Sequence, residues 1–235
     1  MIKTRAGDTG NTLFVYHRFI MTNVMHKLMT TLAAILIAAS AFAAPKNYDL
    51  KSPNGKLSVS VEAGEGISYT LTHDGDLLLD KTSISMATTS GELFGGIQPV
   101  RKVTRRSVSQ IIPTVLYKKA EVKDEFNEMT LKFKRFSLIF RAYDDGMAYR
   151  FVSHLKDAYQ IEQEFVNFNF AEDWNMWAGY VTHNTHSLEG QYFTSNEAQY
   201  TYSPLSQWNK DRIAILPLMV DGPDGKKIVI TEADN

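Results

Sequence analysis

The sequence has no cysteine in its 235 residues, and its formal net charge is only −1. Without cysteine the chain forms no disulfide and offers no thiolate as a nucleophile or metal ligand. A charge so close to zero gives no electrostatic reason to expect nucleic acid or an anionic membrane surface as a partner. Beyond residue 43 the sequence also lacks a long apolar stripe at helical spacing, which argues against a helical bundle.

The composition is otherwise that of a globular domain. Hydrophobic residues make up 44% of the chain and charged residues 22%, which is enough to form a buried core. The chain is too short for a (β/α)8 barrel in addition to another domain, because such a barrel needs about 250 residues by itself. There is no internal repeat and no low-complexity linker, so we expect one domain over residues 44–235.

The N-terminal region has the pattern of a secretory signal peptide over residues 25–43. A charged start at Lys27 precedes an apolar run from Leu32 to Ala39, and the small residues at Ala41-Phe42-Ala43 form a cleavage site. The apolar run is shorter than the ~20 residues that cross a bilayer, so we expect no membrane span after cleavage. Residues 1–24 are interpreted as an upstream extension. The sequence therefore predicts a periplasmic or secreted protein.

The expected mature chain shows strand periodicity almost throughout. Leu57, Val59 and Val61 alternate with polar residues, and turn signals recur about every ten residues, a pattern typical of a large antiparallel sandwich. The sequence therefore predicts an all-β fold. Residues 83–99 are rich in Ser, Thr and Gly and are predicted to form an irregular loop. The basic residues within 101–106 are predicted to lie on a solvated strand face.

The strongest local signal is a predicted β-hairpin over residues 136–151, which read FSLIFRAYDDGMAYRF. Apolar residues alternate along its first half, and Asp144-Asp145-Gly146 is a typical reversal because glycine adopts positive φ readily. We expect Arg141 and Arg150 to pair with the turn carboxylates. A catalytic pair of Asp144 and Asp145 is not favoured, since adjacent residues in a turn have no fixed separation.

An aromatic-rich region follows between residues 174 and 208. Rings among Asn, Ser, Thr and Gly are typical of a surface that stacks on sugar rings, while for any single ring, filling of the core is the favoured interpretation. Both interpretations stay open for the following residues: Trp174, Trp177, Tyr180, Tyr192, Phe193, Tyr200, Tyr202 and Trp208.

Within this region His183, His186 and Glu189 occur at intervals of three. On a helix this spacing would place them near one face and favour a transition metal, but no helix is indicated. Neutral imidazoles suit zinc, whereas calcium prefers oxygen ligands. Glu189 is therefore the candidate metal ligand, and the histidines are expected to form hydrogen bonds.

The run FRAYDDGMAYRF resembles the signature hairpin in the N-terminal domain of glycoside hydrolase family 97. Further matches are SPNGKL at residues 52–57, the segment 174–192, and ITEAD at residues 230–234, so that the resemblance covers residues 50–235. It implies a galactose-mutarotase-like β-super-sandwich. In this family a catalytic (β/α)8 barrel follows the domain, and the resemblance implies that the chain is truncated before it.

The resembling enzymes are calcium-dependent and cut α-glucosidic or α-galactosidic bonds. The resemblance implies a domain with no catalytic residue of its own, inactive alone, whose partners are its own catalytic barrel and an α-linked oligosaccharide. One glutamate of the family's N-terminal domain binds the catalytic calcium. Glu189 is the residue matched to it, with Glu197 as the next carboxylate.

Two alternatives from other functional classes remain open. The first is a free-standing sandwich that binds carbohydrate or another protein and never had a barrel. The second is a complete small hydrolase that uses carboxylates among Asp144, Asp145, Glu189 and Glu232.

Overall fold

The computed structural model describes residues 45–115, 117–181, 187–193 and 197–232. The predicted signal peptide and the segment before it lie outside these residues, and so do His183 and His186. Within the described part, no helix is long and apolar enough to cross a membrane.

Strands dominate the described residues, and the helical segments among them are three short 3-10 turns at 189–193, 205–207 and 223–225. The strands, in chain order, are β1 (Lys46–Lys51), β2 (Leu57–Ala63), β3 (Ile67–His73), β4 (Asp76–Thr88), β5 (Leu93–Phe94), β6 (Lys102–Pro113), β7 (Glu121–Lys132), β8 (Phe136–Ala142), β9 (Met147–Ser153), β10 (Ile161–Asn167), β11 (Asn175–Tyr180), β12 (Thr201–Pro204), β13 (Ala214–Asp221) and β14 (Lys227–Ile230).

The strands form three antiparallel sheets. Sheet A has the order β1-β2-β3-β4-β10, and β5 pairs with β4; sheet B is the meander β6-β7-β8-β9; sheet C has the order β12-β11-β13-β14. Hairpins connect most neighbours, but β10 returns from far along the chain to pair with β4. The prediction of an all-β antiparallel fold is confirmed.

The main core lies between sheets A and B because both sheets alternate apolar and polar residues. Along β2, Leu57, Val59 and Val61 are buried, as predicted from their spacing. The facing strand β8 is buried at five of its seven positions, and aromatic pairs join the sheets: the ring centroids of Tyr69 and Phe140 lie 5.9 Å apart. Each fully buried side chain of this size contributes roughly 1.5–3 kcal/mol. Burial between two sheets therefore accounts for most of the stability of the sandwich.

The predicted loop at residues 83–99 is partly wrong. Strand β4 continues to Thr88, and the short strand β5 places Phe94 in the core, 1% exposed. The Ser and Thr residues belong to a strand that pairs with neighbours on both sides, so their polarity did not signal a loop. At Gly95, where φ is +91°, a Cβ would lie 2.5 Å from the carbonyl oxygen of Ile84, and only glycine permits this close approach.

The predicted hairpin over residues 136–151 is present as β8 and β9, which pair in continuous register. Its turn closes where the Tyr143 amide donates to the Gly146 carbonyl at 2.8 Å. The side chain of Asp144 accepts a hydrogen bond from the amide of Asn54 at 2.9 Å. Two of the segments that carried the family resemblance therefore contact each other, and this aspartate has a structural role.

The expected pairing of Arg141 with the turn carboxylates is wrong. Arg141 donates instead to the buried carboxylate of Glu128 at 2.9 Å, and Arg106 donates to the same carboxylate at 2.6 and 2.9 Å. Register explains this arrangement, because Glu128 lies directly opposite both arginines on neighbouring strands. The hydrogen bond from Arg106 is the main cause that lowers the pKa of Glu128, and Arg141 adds to it.

Candidate functional site

The candidate ligand Glu189 opens a 3-10 turn that runs to Phe193. Its side chain is exposed, and three apolar neighbours are exposed with it: Leu188 at 49%, Tyr192 at 74% and Phe193 at 89%. A carboxylate among exposed apolar side chains is unusual on a free surface and is typical of a surface that another molecule covers.

A buried glutamine holds this turn in place. Gln191 is 2% exposed, and its side-chain nitrogen donates to the backbone carbonyl of Asp211 at 2.8 Å. Its side-chain oxygen accepts the backbone amide of Ile213 at 2.9 Å. One side chain thus connects the turn to two backbone groups about twenty residues further along the chain.

The segment that Gln191 contacts is itself fixed to sheet C. The amide of Val181, just after β11, donates to the carbonyl of Ile213 at 2.9 Å. The guanidinium of Arg212 lies over the ring of Tyr180, 5.2 Å from its centroid, and donates to the Val181 carbonyl. The turn that carries Glu189 is therefore attached to segment 211–213, which lies just before β13 and is itself bonded to the residues at the end of β11.

The described residues offer calcium one suitable donor at this position and not a complete site. Calcium takes six to eight oxygen ligands, and no group of three or more potential ligand side chains occurs among the described residues. The Glu189 carboxylate has the right chemistry and exposure for one or two of these oxygens. It fits a metal that is shared with a second domain and does not fit a metal held by the described residues alone. Glu197, the other candidate, is also exposed.

The aromatic residues of segment 174–208 divide between core and surface. Trp174 packs against the core and Tyr180 is buried, as core filling predicts. Trp177 and Tyr202 instead lie side by side on the outer face of sheet C, with ring centroids 4.5 Å apart and exposures of 38% and 48%. Neither of the two interpretations that the sequence allowed holds for the whole group.

The exposed pair belongs to a row that crosses sheet C. Strand register aligns Tyr202 with Trp177, Trp177 with Met219, and Met219 with Val229. The hydroxyl of Tyr202 donates to Asp221 at 2.9 Å, and Lys227 donates to the same carboxylate at 2.6 Å. The hydrogen bond from Lys227 is the main cause that lowers the pKa of Asp221, and the one from Tyr202 adds to it. The outer face of sheet C is therefore an apolar row with a charged rim.

The carboxylates of the small-hydrolase alternative belong to different parts of the fold. Asp144 and Asp145 lie in the turn between β8 and β9 of sheet B, Glu189 lies on the turn attached to sheet C, and Glu232 follows β14. Asp144 is already bonded to Asn54. The described structure thus gives no support for a paired-carboxylate active site.

Sequence reasoning missed Gln191. Polar residues in a region without strand periodicity are normally exposed, and nothing local distinguishes this glutamine from Gln199 or Gln207. Its partners at 211 and 213 are identified only once the fold is known.

The sequence profile of the glycosyl-hydrolase 97 N-terminal family matches residues 50–235. A retaining α-galactosidase from Bacteroides thetaiotaomicron is 34% identical over 210 residues, which cover 88% of this chain and 32% of that protein. The chain thus spans about a third of the length of this curated relative.

Two solved structures show the same fold. A glycoside hydrolase family 97 enzyme from Pseudoalteromonas sp. strain K8, in complex with acarbose, superposes with a TM-score of 0.64 at 19% identity, over 80% of this chain and 28% of that one. A β-arabinopyranosidase crystal structure gives a TM-score of 0.67 at 17% identity, over 81% and 32% of the two chains. In both cases the part that corresponds to this chain is less than a third of the whole.

Proposed function

Since the chain belongs to the glycosyl-hydrolase 97 N-terminal family, we propose that it is the non-catalytic N-terminal domain of an exported α-glycoside hydrolase. The α-galactosidase relative is about three times as long as the matched region, which supports a catalytic part outside this sequence. The enzyme would act on α-linked oligosaccharides of the glucoside or galactoside type.

The observation that carries this proposal is the exposed turn of residues 187–193. Its side chains Leu188, Tyr192 and Phe193 present apolar surface to solvent, although a buried glutamine fixes their backbone. Stable exposure of large apolar groups favours a surface that packs against another domain. We assign the turn to the contact with the catalytic barrel.

Glu189 would contribute a carboxylate oxygen to a calcium ion at that contact, next to the substrate. The barrel would supply the other protein ligands, because a single carboxylate with water in the remaining positions binds calcium only weakly. The ion would supply positive charge where the substrate is bound, and Glu189 would fix the position of that charge relative to this domain.

The test begins with the DNA downstream of residue 235, where an in-frame or frameshifted continuation that encodes a barrel supports the proposal. We then expect tight calcium binding by calorimetry in the longer enzyme and none in the isolated chain. Glu189→Gln should weaken calcium binding and activity together, with activity partly recovered by excess calcium. Glu162→Gln, an exposed carboxylate on β10, is the matched control.

The outcome that contradicts the ligand assignment is unchanged calcium affinity in Glu189→Gln. Glu197 would then be the next carboxylate to substitute. An unrelated gene downstream would contradict the proposal as a whole.

Export is the second part of the proposal, and it rests on the apolar run and the Ala41-Phe42-Ala43 site. We expect mass spectrometry of protein from a Gram-negative host to show a mature start at or near Ala44. Soluble periplasmic protein that keeps Met1 or Met25 would contradict it.

The exposed row of Trp177 and Tyr202 favours one alternative, a free-standing carbohydrate-binding sandwich, because flat aromatic surfaces stack on the apolar faces of sugar rings. Calorimetry of the isolated chain with α-linked oligosaccharides separates the alternatives: binding that Trp177→Ala abolishes would favour the free-standing module. Aryl α-glucoside and α-galactoside assays of the same chain should stay at background, since the catalytic carboxylates would be in the barrel.

A further inference from the structure

We infer that Gln191 is the residue that positions the Glu189 carboxylate, and that it does so through its hydrogen bonds to the backbone of Asp211 and Ile213. This inference rests on the proposed function, because it assigns a task to Glu189. It adds a residue that touches neither metal nor substrate and yet sets where the ligand lies.

The geometry leaves the amide of Gln191 one orientation. The Asp211 carbonyl accepts only and the Ile213 amide donates only, so the side-chain nitrogen must face the first and the oxygen the second. Exchange of the two ends would leave a donor against a donor and an acceptor against an acceptor. A side chain that is 2% exposed has little access to water to compensate for such a loss.

The hydrogen bonds of Gln191 hold the part of the turn that carries Glu189. Gln191 and Glu189 belong to the same 3-10 turn, whose amide at 191 donates to the Leu188 carbonyl at 3.0 Å. The amide of Gly190, between them, donates to the Ser187 hydroxyl at 3.0 Å. A shift of Gln191 therefore moves the backbone of Glu189 with it.

Segment 211–213, which holds the backbone partners of Gln191, is bonded to the end of β11 independently of Gln191. The carbonyl of Ile213 accepts a hydrogen bond from the amide of Val181, just after β11, and Arg212 packs on the ring of Tyr180, the last residue of that strand. The hydrogen bonds of Gln191 thus fix the position of the exposed carboxylate relative to sheet C. Residues that orient a metal ligand in this way typically change metal affinity by about 10- to 100-fold when they are substituted.

The test uses Gln191→Met, which keeps the length of the side chain and removes its hydrogen bonds to Asp211 and Ile213, together with a longer one of 3.5 Å to the Ser187 carbonyl. In the longer enzyme we expect calcium affinity by calorimetry to fall about 10-fold or more. In a Glu189→Gln background the same change should cause no further loss, because the two residues act through one ligand. Gln110→Met, at an exposed glutamine bonded to Asp124 on sheet B, should leave affinity unchanged.

Three results would overturn the inference. Unchanged calcium affinity in Gln191→Met, with Glu189→Gln still defective, would make Gln191 purely structural and leave the proposed function intact. Additive losses in the double variant would show that Gln191 acts elsewhere than through Glu189. Unchanged affinity in Glu189→Gln itself would remove the ligand assignment, and the role of Gln191 with it.

Discussion

The sandwich of sheets A and B and the smaller sheet C use similar side chains in opposite ways. Between A and B the aromatic rings meet inside, as Phe94 and Phe136 do with centroids 5.1 Å apart. On sheet C the pair of Trp177 and Tyr202 meets outside, at 4.5 Å. Ring contacts of similar distance therefore stabilise a core in one region and form a surface in the other.

The same contrast holds for carboxylates. Glu128 in sheet B is 6% exposed and is bonded to two arginines, whereas Glu189 is exposed on a turn. A buried carboxylate that is bonded to two cationic partners is inaccessible to a metal ion, while an exposed one on a fixed backbone is accessible. The difference separates structural charge from a charge that is available to a second domain.

The largest expected effect is in the sandwich core. Phe140→Ala removes a ring that is fully buried and contacts Tyr69 across the sheets and Tyr149 beside it. We expect a loss of about 3–5 kcal/mol in the free energy of unfolding, from lost burial and the cavity left behind. Urea denaturation of the isolated chain measures it, and a loss below about 1 kcal/mol would show that this interface is not the main core.

An intermediate effect is expected at Glu128. Glu128→Gln removes the charge that Arg106 and Arg141 share, and we expect a loss of about 1–2 kcal/mol near pH 7, reduced from a fully buried value because both arginines are partly exposed. Glu189→Gln should change stability by less than about 0.5 kcal/mol. Equal losses of unfolding free energy in the two variants would contradict the distinction between a carboxylate that stabilises the fold and one that is available to a second domain.

The pH dependence of this difference follows from the lowered pKa of Glu128. Its stabilisation is fully present above the unfolded pKa of about 4.3 and disappears as pH falls through the lower folded value. The difference in stability between wild type and Glu128→Gln should therefore begin to shrink as pH falls below about 4. Denaturation midpoints between pH 7 and pH 3 test this, and a constant difference would mean that the carboxylate contributes through packing alone.

The parts of the fold that the sequence predicted are those with local signals. The hairpin of residues 136–151 was predicted because alternation and turn chemistry lie within sixteen consecutive residues. The pairing of β4 with β10 depends instead on segments about eighty residues apart, and no local pattern encodes that register. The Ser and Thr residues near 83–88 therefore suggested a loop where a strand continues.

The candidate site was predicted less completely than the fold. Glu189 was selected because of its residue type and the family resemblance, and its exposure fits that choice without testing it. The role of Gln191 was not predictable, since it depends on backbone groups at 211 and 213 that only the tertiary structure brings near. The predicted partner of Arg141 was wrong for the same reason. Cross-strand neighbours compete with sequence neighbours, and Arg141 bonds to Glu128 because register places Glu128 directly opposite.

Among the substitutions that remove a ring, the smaller loss of stability is expected at the outer face of sheet C. Trp177→Ala removes one ring of an exposed pair, and a cross-strand pair contributes roughly 0.2–1 kcal/mol. We expect a loss no larger than the upper end of that range in the isolated chain, because Trp177 is 38% exposed and its neighbour Tyr202 keeps its hydrogen bond to Asp221. Tyr202→Phe, which deletes only that hydroxyl, is the matched variant and should cost less.

A loss comparable with that of Phe140→Ala would mean that this face is covered even in the isolated chain. Self-association, seen by sedimentation as a concentration-dependent mass that Trp177→Ala reduces, would then identify a second copy as the cover.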